Sequence, residues 1–165
     1  MERNTMQYKQ PSISLTCIDA LALATQMMLL EIMGISSERG VMTRRREFHP
    51  SDEVVVVISL TGAFEGVFSL CVAKHIAFKI ASKMMGTTSN TCAEEIMTSA
   101  MAEFCNMTAG HALISMEYNG LAGVDISTPT ILLRSPEQLL SNEKTETATI
   151  IINTPLGPIE IGLST

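Results

Sequence analysis

EVVVVISLTGAFEGVFSLCV, residues 53–72, decides the fold class. The run from Val54 to Leu60 is nearly all β-branched and apolar, the pattern of a strand covered on both faces. Gly62 supplies a turn, and Phe64, Gly66, Phe68, Leu70 and Val72 then alternate with more polar neighbours. Two such runs joined tightly predict an antiparallel hairpin. A second hairpin is predicted at the C-terminal end, in TATIIINTPLGPIEIGL (residues 147–163), with its turn over Thr154 to Pro158.

Helical patterns lie between and before these hairpins. Residues 14–33 are rich in helix formers and stop at Gly34; a second helix is expected over 73–85, ending at Gly86. A third should run to about Met116 from Thr91, which with Glu94 three residues on has the form of a capping box. Asn119-Gly120 marks a turn, residues 123–133 read as extended with a break at Thr128-Pro129, and residues 136–144 as a loop. The class is therefore α+β: an antiparallel sheet with long helices packed on it. Each hairpin follows a long helix, and Ile150-Ile151-Ile152 answers Val57-Ile58-Ser59. The chain thus has the outline of a weak internal repeat of helix plus hairpin, although any two buried hairpins share such features.

The 165 residues suit one domain, read as residues 12–165 behind a loose arm over 1–11. Apolar residues make up 46% and charged residues 17%, a composition that forms a core rather than a disordered chain. The net charge of −6 argues against nucleic-acid binding. The abundant methionines, 12 in all, are expected as core filler. Cys17, Cys71, Cys92 and Cys105 show neither a disulfide framework nor metal spacing, and no nucleotide-binding glycine motif occurs. The N-terminus has no secretory pattern, and the apolar stretch of 15–34 carries Asp19, Gln26 and Glu31, as a core helix does. A cytoplasmic chain without membrane insertion is expected. The basic run Arg44 to Arg46 reads as a solvated strand or sheet edge.

The segment SAMAEFCNMTAGHA, residues 99–112, carries the chemistry. On a helix, Ser99, Glu103, Asn106 and Gly110 form one narrow stripe opposite the apolar arc of Met97, Met101, Phe104, Cys105, Thr108 and Ala112. Asparagine has no useful proton to exchange, but its amide can hold a water through either end. Glu103 has the chemistry of a base, a metal ligand or an ion-pair partner. A Glu-x-x-Asn pair alone is common on helix surfaces. Here Ser99 precedes Glu103 by four residues, and Pro129 follows Asn106 after the 22 residues 107–128.

That spacing resembles the signature of the CheC, CheX and FliY chemotaxis phosphatases: Asp or Ser, three residues, Glu, two residues, Asn, 22 residues, Pro. The flanking text AEFCNMTAGHA and DISTPTILL is also similar, and the likeness extends over nearly the whole chain. It implies a phosphatase of two-component signalling that removes phosphate from the aspartyl phosphate of a CheY-like receiver. Asn106 would position the attacking water and Glu103 would pair with a receiver lysine, with Ser99, Gly110 and Pro129 in support. No cofactor of its own is implied; the receiver supplies the Mg2+. The first long helix has no Glu-x-x-Asn, so one site per chain is expected, as in the CheX branch, together with a homodimer through sheet edges. The alternative is a non-catalytic receiver-binding module of the same fold.

Overall fold

The computed structural model describes residues 13–45, 53–87, 92–133 and 146–165. The proposed N-terminal arm, Arg46, Thr91 and the 136–144 loop lie outside the described residues. The first helix, α1 (Ile13–Met28), continues through a π-helical stretch, Leu29–Met33. It stops at Gly34, whose left-handed φ of 67° lets its N–H donate to the Leu30 carbonyl. Two short strands follow, β1 (Glu38–Arg39) and β2 (Thr43–Arg45), then the first hairpin, β3 (Val54–Gly62) and β4 (Gly66–Val72). Helices α2 (Lys74–Met84) and α3 (Glu94–Tyr118) come next, then the short strands β5 (Val124–Ile126) and β6 (Thr130–Leu133). The chain closes with the second hairpin, β7 (Thr147–Thr154) and β8 (Gly157–Ser164).

Among the described residues all eight strands form one sheet, and every pairing is antiparallel. Its order is β1 and β2 on β7, then β8, β4 and β3, with β5 and β6 on β3. The two hairpins meet at β4–β8, where Leu70 faces Ile161. Each hairpin's outer strand is covered by the short strands belonging to the other half of the chain.

The expected α+β class and both hairpins are present, and the break expected at Thr128-Pro129 separates β5 from β6. The second turn is tighter than the sequence suggested. Thr154 pairs directly with Gly157, and the Thr154 hydroxyl accepts from the Leu156 N–H. The basic run behaves as an edge for its described part: β2 pairs with β7, and Arg44 meets Glu146 at 3.1 Å in the exposed margin. None of the four cysteines is in a disulfide among the described residues.

The capping box is corrected. Helix α3 begins at Glu94, its cap position is Ala93, and no side chain bonds there. Glu94 Oε2 lies 2.7 Å from Lys74 Nζ, joining the start of α3 to the start of α2. That carboxylate raises the Lys74 ammonium above its ordinary value, chiefly through the hydrogen bond.

The core lies between the sheet and the helices. Phe68, Leu70, Ile58, Ile150 and Ile161 point from the sheet into the cluster that holds Leu21, Met28, Phe104 and Met101. Each fully buried side chain of this size contributes about 1.5–3 kcal/mol by leaving water. Ser14–Met33 is long and apolar enough to cross a membrane by length and composition, but half of it is buried inside the fold. Its inward residues Cys17, Ile18, Leu21 and Leu29 are core, as expected of it.

Candidate functional site on helix α3

Helix α3 is a rod of 25 residues, ~37 Å at 1.5 Å per residue. Phe104, Cys105 and Thr108 are completely buried in its middle turns. The Thr108 hydroxyl donates to the Phe104 carbonyl at 2.8 Å, so its burial leaves no donor unpaired. Burial also pushes the Cys105 thiol well above its ordinary range and Cys17 up to about 11, so both are neutral packing groups. This anchored face fixes the opposite one.

Ser99, Glu103, Asn106 and Gly110 come together on the outward side. Ser99 and Glu103 are exposed, and Asn106 and Gly110 are half-buried. Glu103 and Asn106 stand one turn apart, ~4.5 Å along the axis. Neither side chain has a hydrogen bond or ion pair to any described residue. A methyl group on Gly110 would meet nothing within 4 Å, so packing inside the chain does not require glycine there. The stripe thus sets one exposed carboxylate beside one half-buried amide on the side of α3 away from the core.

Pro129 lies elsewhere, in the gap between β5 and β6. There β3 loses its regular partner, and Ser127 fills the gap: its N–H donates to the Ser59 carbonyl and its Oγ accepts from the Ser59 N–H, each at 2.9 Å. Pro129, which has no N–H to offer the ladder, stands immediately before β6. Helix α3 packs on β3, β5 and β6, the strands that flank Pro129. Among the described residues no three His, Cys, Asp or Glu side chains gather as a metal site.

The sequence reading did not anticipate one feature. The outward side of α1 is apolar: Leu23 and Met27 are each 50% exposed and Leu30 is 58% exposed. On α3, Ile114 and Tyr118 are also exposed. Leu23 and Met27 line a groove with His111, Ile114 and Tyr118. The signal was present in the sequence, because residues 23, 27 and 30 fall outside the buried stripe of 18, 21, 25 and 29. A helix apolar on both sides was read simply as core.

Comparison with known proteins identifies the family. The sequence profile of the family described as chemotaxis phosphatase CheX matches residues 54–153. The CheY-P phosphatase CheX of Thermotoga maritima is 30% identical over 115 residues, covering 70% of this chain and 74% of that protein. The crystal structure of a chemotaxis protein CheX from Desulfovibrio desulfuricans superposes with a TM-score of 0.75 at 19% identity, over 89% of this chain and 97% of that one. A CheX–CheY–BeF3–Mg2+ complex from Borrelia burgdorferi gives a TM-score of 0.68 at 21% identity, covering 89% and 96%. The profile match over most of the chain, the Thermotoga relative and the shared fold agree with the spacing of Ser99, Glu103, Asn106 and Pro129: this chain belongs to the chemotaxis phosphatase CheX family.

Proposed function

We propose that the chain hydrolyses the aspartyl phosphate of a CheY-like receiver domain, with Asn106 positioning the water and Glu103 pairing with a receiver lysine. One observation carries the reading: an amide and a carboxylate without partners among the described residues, one turn apart on the outward side of a helix whose other side is locked in the core. The Thermotoga relative, a CheY-P phosphatase, supports it, as does the structure of a CheX complex with CheY from Borrelia burgdorferi.

In this reading the Asn106 side-chain oxygen accepts from the water and aligns it behind phosphorus. The water oxygen bonds to phosphorus as the bond from phosphorus to the aspartyl oxygen breaks. Aspartate and inorganic phosphate leave, and the water's proton passes to the phosphate or solvent. Asn106 takes no proton, so its contribution is placement, the main lever available in phosphoryl transfer. The Mg2+ is the receiver's and offsets charge on the phosphoryl oxygens. Ser99 and Gly110 keep the stripe low enough for close approach, and Pro129 shapes the edge beneath α3. The protein would act in the cytoplasm and pair through sheet edges, where β6 presents the half-exposed Leu132 and Leu133.

The test is the decay of a phosphorylated CheY-like receiver. Wild type should accelerate it, Asn106→Ala should lose about 100-fold in kcat with the fold intact, and Glu103→Gln should mainly raise KM. Tight receiver binding with no acceleration by wild type would replace the enzyme with a binding module.

A further inference from the structure

We infer that the outward ridge of α2, formed by His75, Lys79 and Lys83, is a docking site for an acidic peptide segment of a further protein partner. The inference does not depend on the phosphatase reading. The three residues follow one another at four-residue steps, so they form one line along the helix. Within α2 only His75 and Lys83 are exposed, with Lys79 half-buried between them. Ile76, Ala77, Ile80, Ala81 and Ser82 are buried around this line. The start of the helix is held from outside: the Lys74 N–H donates to Glu53 Oε2 at 3.2 Å, and Lys74 Nζ meets Glu94 at 2.7 Å. The ridge is therefore a rigid one.

Its charge is not answered within the described chain. Among the described residues Arg39 pairs with Asp19, Arg44 with Glu146 and Lys74 with Glu94, whereas Lys79 and Lys83 have no ion pair or hydrogen bond. Helix α2 contains no Asp or Glu. It packs on α3 and on the π-helical stretch that ends α1. Those elements carry Glu31, Glu94, Glu95, Glu103 and Glu117, and of these only Glu94 pairs with α2, through Lys74. The dipole of α2 favours Lys83 in its last turn but not Lys79 one turn earlier, and like charges at this spacing oppose each other. Ser82, between the two lysines in sequence, is 3% exposed, and its hydroxyl has no hydrogen-bond partner among the described residues. A carboxylate brought to this turn answers both charges and offers Ser82 an acceptor.

Charge and extent select the occupant. A second copy docking ridge to ridge about a two-fold axis sets lysine against lysine. Nucleic acid and anionic lipid are held by larger basic clusters, and the net charge of −6 repels both. A peptide segment with carboxylates one helical turn apart matches the spacing of the ridge. Met85, 49% exposed just past the end of α2, gives such a segment an apolar contact.

The test is fluorescence anisotropy with the full chain. The probe is a synthetic helical peptide with Glu at every fourth position and a leucine beyond the last, compared with the same peptide carrying Gln instead of Glu. Wild type should bind the Glu peptide about 10-fold more tightly than the Gln peptide. The difference should shrink between about 50 and about 200 mM salt. Lys79→Gln with Lys83→Gln should remove the preference, and Lys79→Glu with Lys83→Glu should transfer it to a peptide with Lys at those positions. Arg44→Gln, at a cation already paired with Glu146, should keep it. Receiver dephosphorylation should be the same in wild type and in the Lys79→Gln, Lys83→Gln chain. Equal binding of the Glu and Gln peptides by wild type overturns the proposal, as does an undiminished preference in that double variant with unaltered melting. A parallel loss of receiver dephosphorylation assigns the ridge to the receiver and overturns it. Loss of binding to phosphatidylserine vesicles in the variant assigns the ridge to lipid, and a lower oligomer mass by light scattering assigns it to a second copy; either overturns it too.

Discussion

Asn106 and Gly110 pose the same question at the scale of single residues: why a helix interior should hold side chains that do nothing for the helix. Glycine there costs about 0.5–1 kcal/mol relative to alanine. The open space around Gly110 shows that no neighbour among the described residues demands it. The cost is recovered only if something outside the chain approaches closely. Gly110→Ala should therefore raise the melting temperature while lowering kcat/KM for the phosphorylated receiver several-fold. Melting curves and receiver decay on the same preparation check this. A stabilised protein with unaltered kcat/KM would remove Gly110 from the docking surface.

At the scale of elements, the helices and hairpins were legible because their signals are local. Val54 to Leu60 states its strand, Gly34 states a helix end through its positive φ, and the Ser99–Glu103–Asn106 stripe states its own face once the segment is helical. The α3 start was misjudged because the deciding contact is not local. Glu94 looks like the reciprocal half of a capping box, but Lys74, 20 residues earlier, holds it. The outer face of α1 was missed for a related reason. Apolar periodicity shows that a residue can be buried, and only packing against a particular neighbour shows whether it is. Ala93 leaves the first N–H groups of α3 without a side-chain cap. Ala93→Ser should thus stabilise the protein by about 1 kcal/mol. That corresponds to a rise of roughly 2–4 °C in Tm for a chain of this size. No rise would mean that these N–H groups are already satisfied in the folded protein.

At the scale of the whole molecule, the strand order has a consequence for folding. Reading from either margin, the sheet runs short strands, hairpin, hairpin, short strands. Strands β1 and β2 precede the first hairpin in sequence but pair with β7 of the second. Strands β5 and β6 precede the second hairpin but pair with β3 of the first. The central contact, β4 with β8, also joins the halves. A fragment ending after α2 would thus hold β1 and β2 with nothing to pair against, and would expose both edges of its hairpin. The fragment beginning at α3 would suffer in the same way, and α3 would lose the α1 side of its packing. Unpaired strand edges and a half-exposed core are unfavourable together. Each fragment alone should lack a cooperative melt by circular dichroism. Mixing the two should restore both the melt and, if Asn106 acts as proposed, receiver dephosphorylation. A cooperative transition in the first fragment by itself would show that the exchanged short strands only decorate two units able to fold alone. The functional helix would then owe its position to packing added after folding rather than to the interlocked sheet.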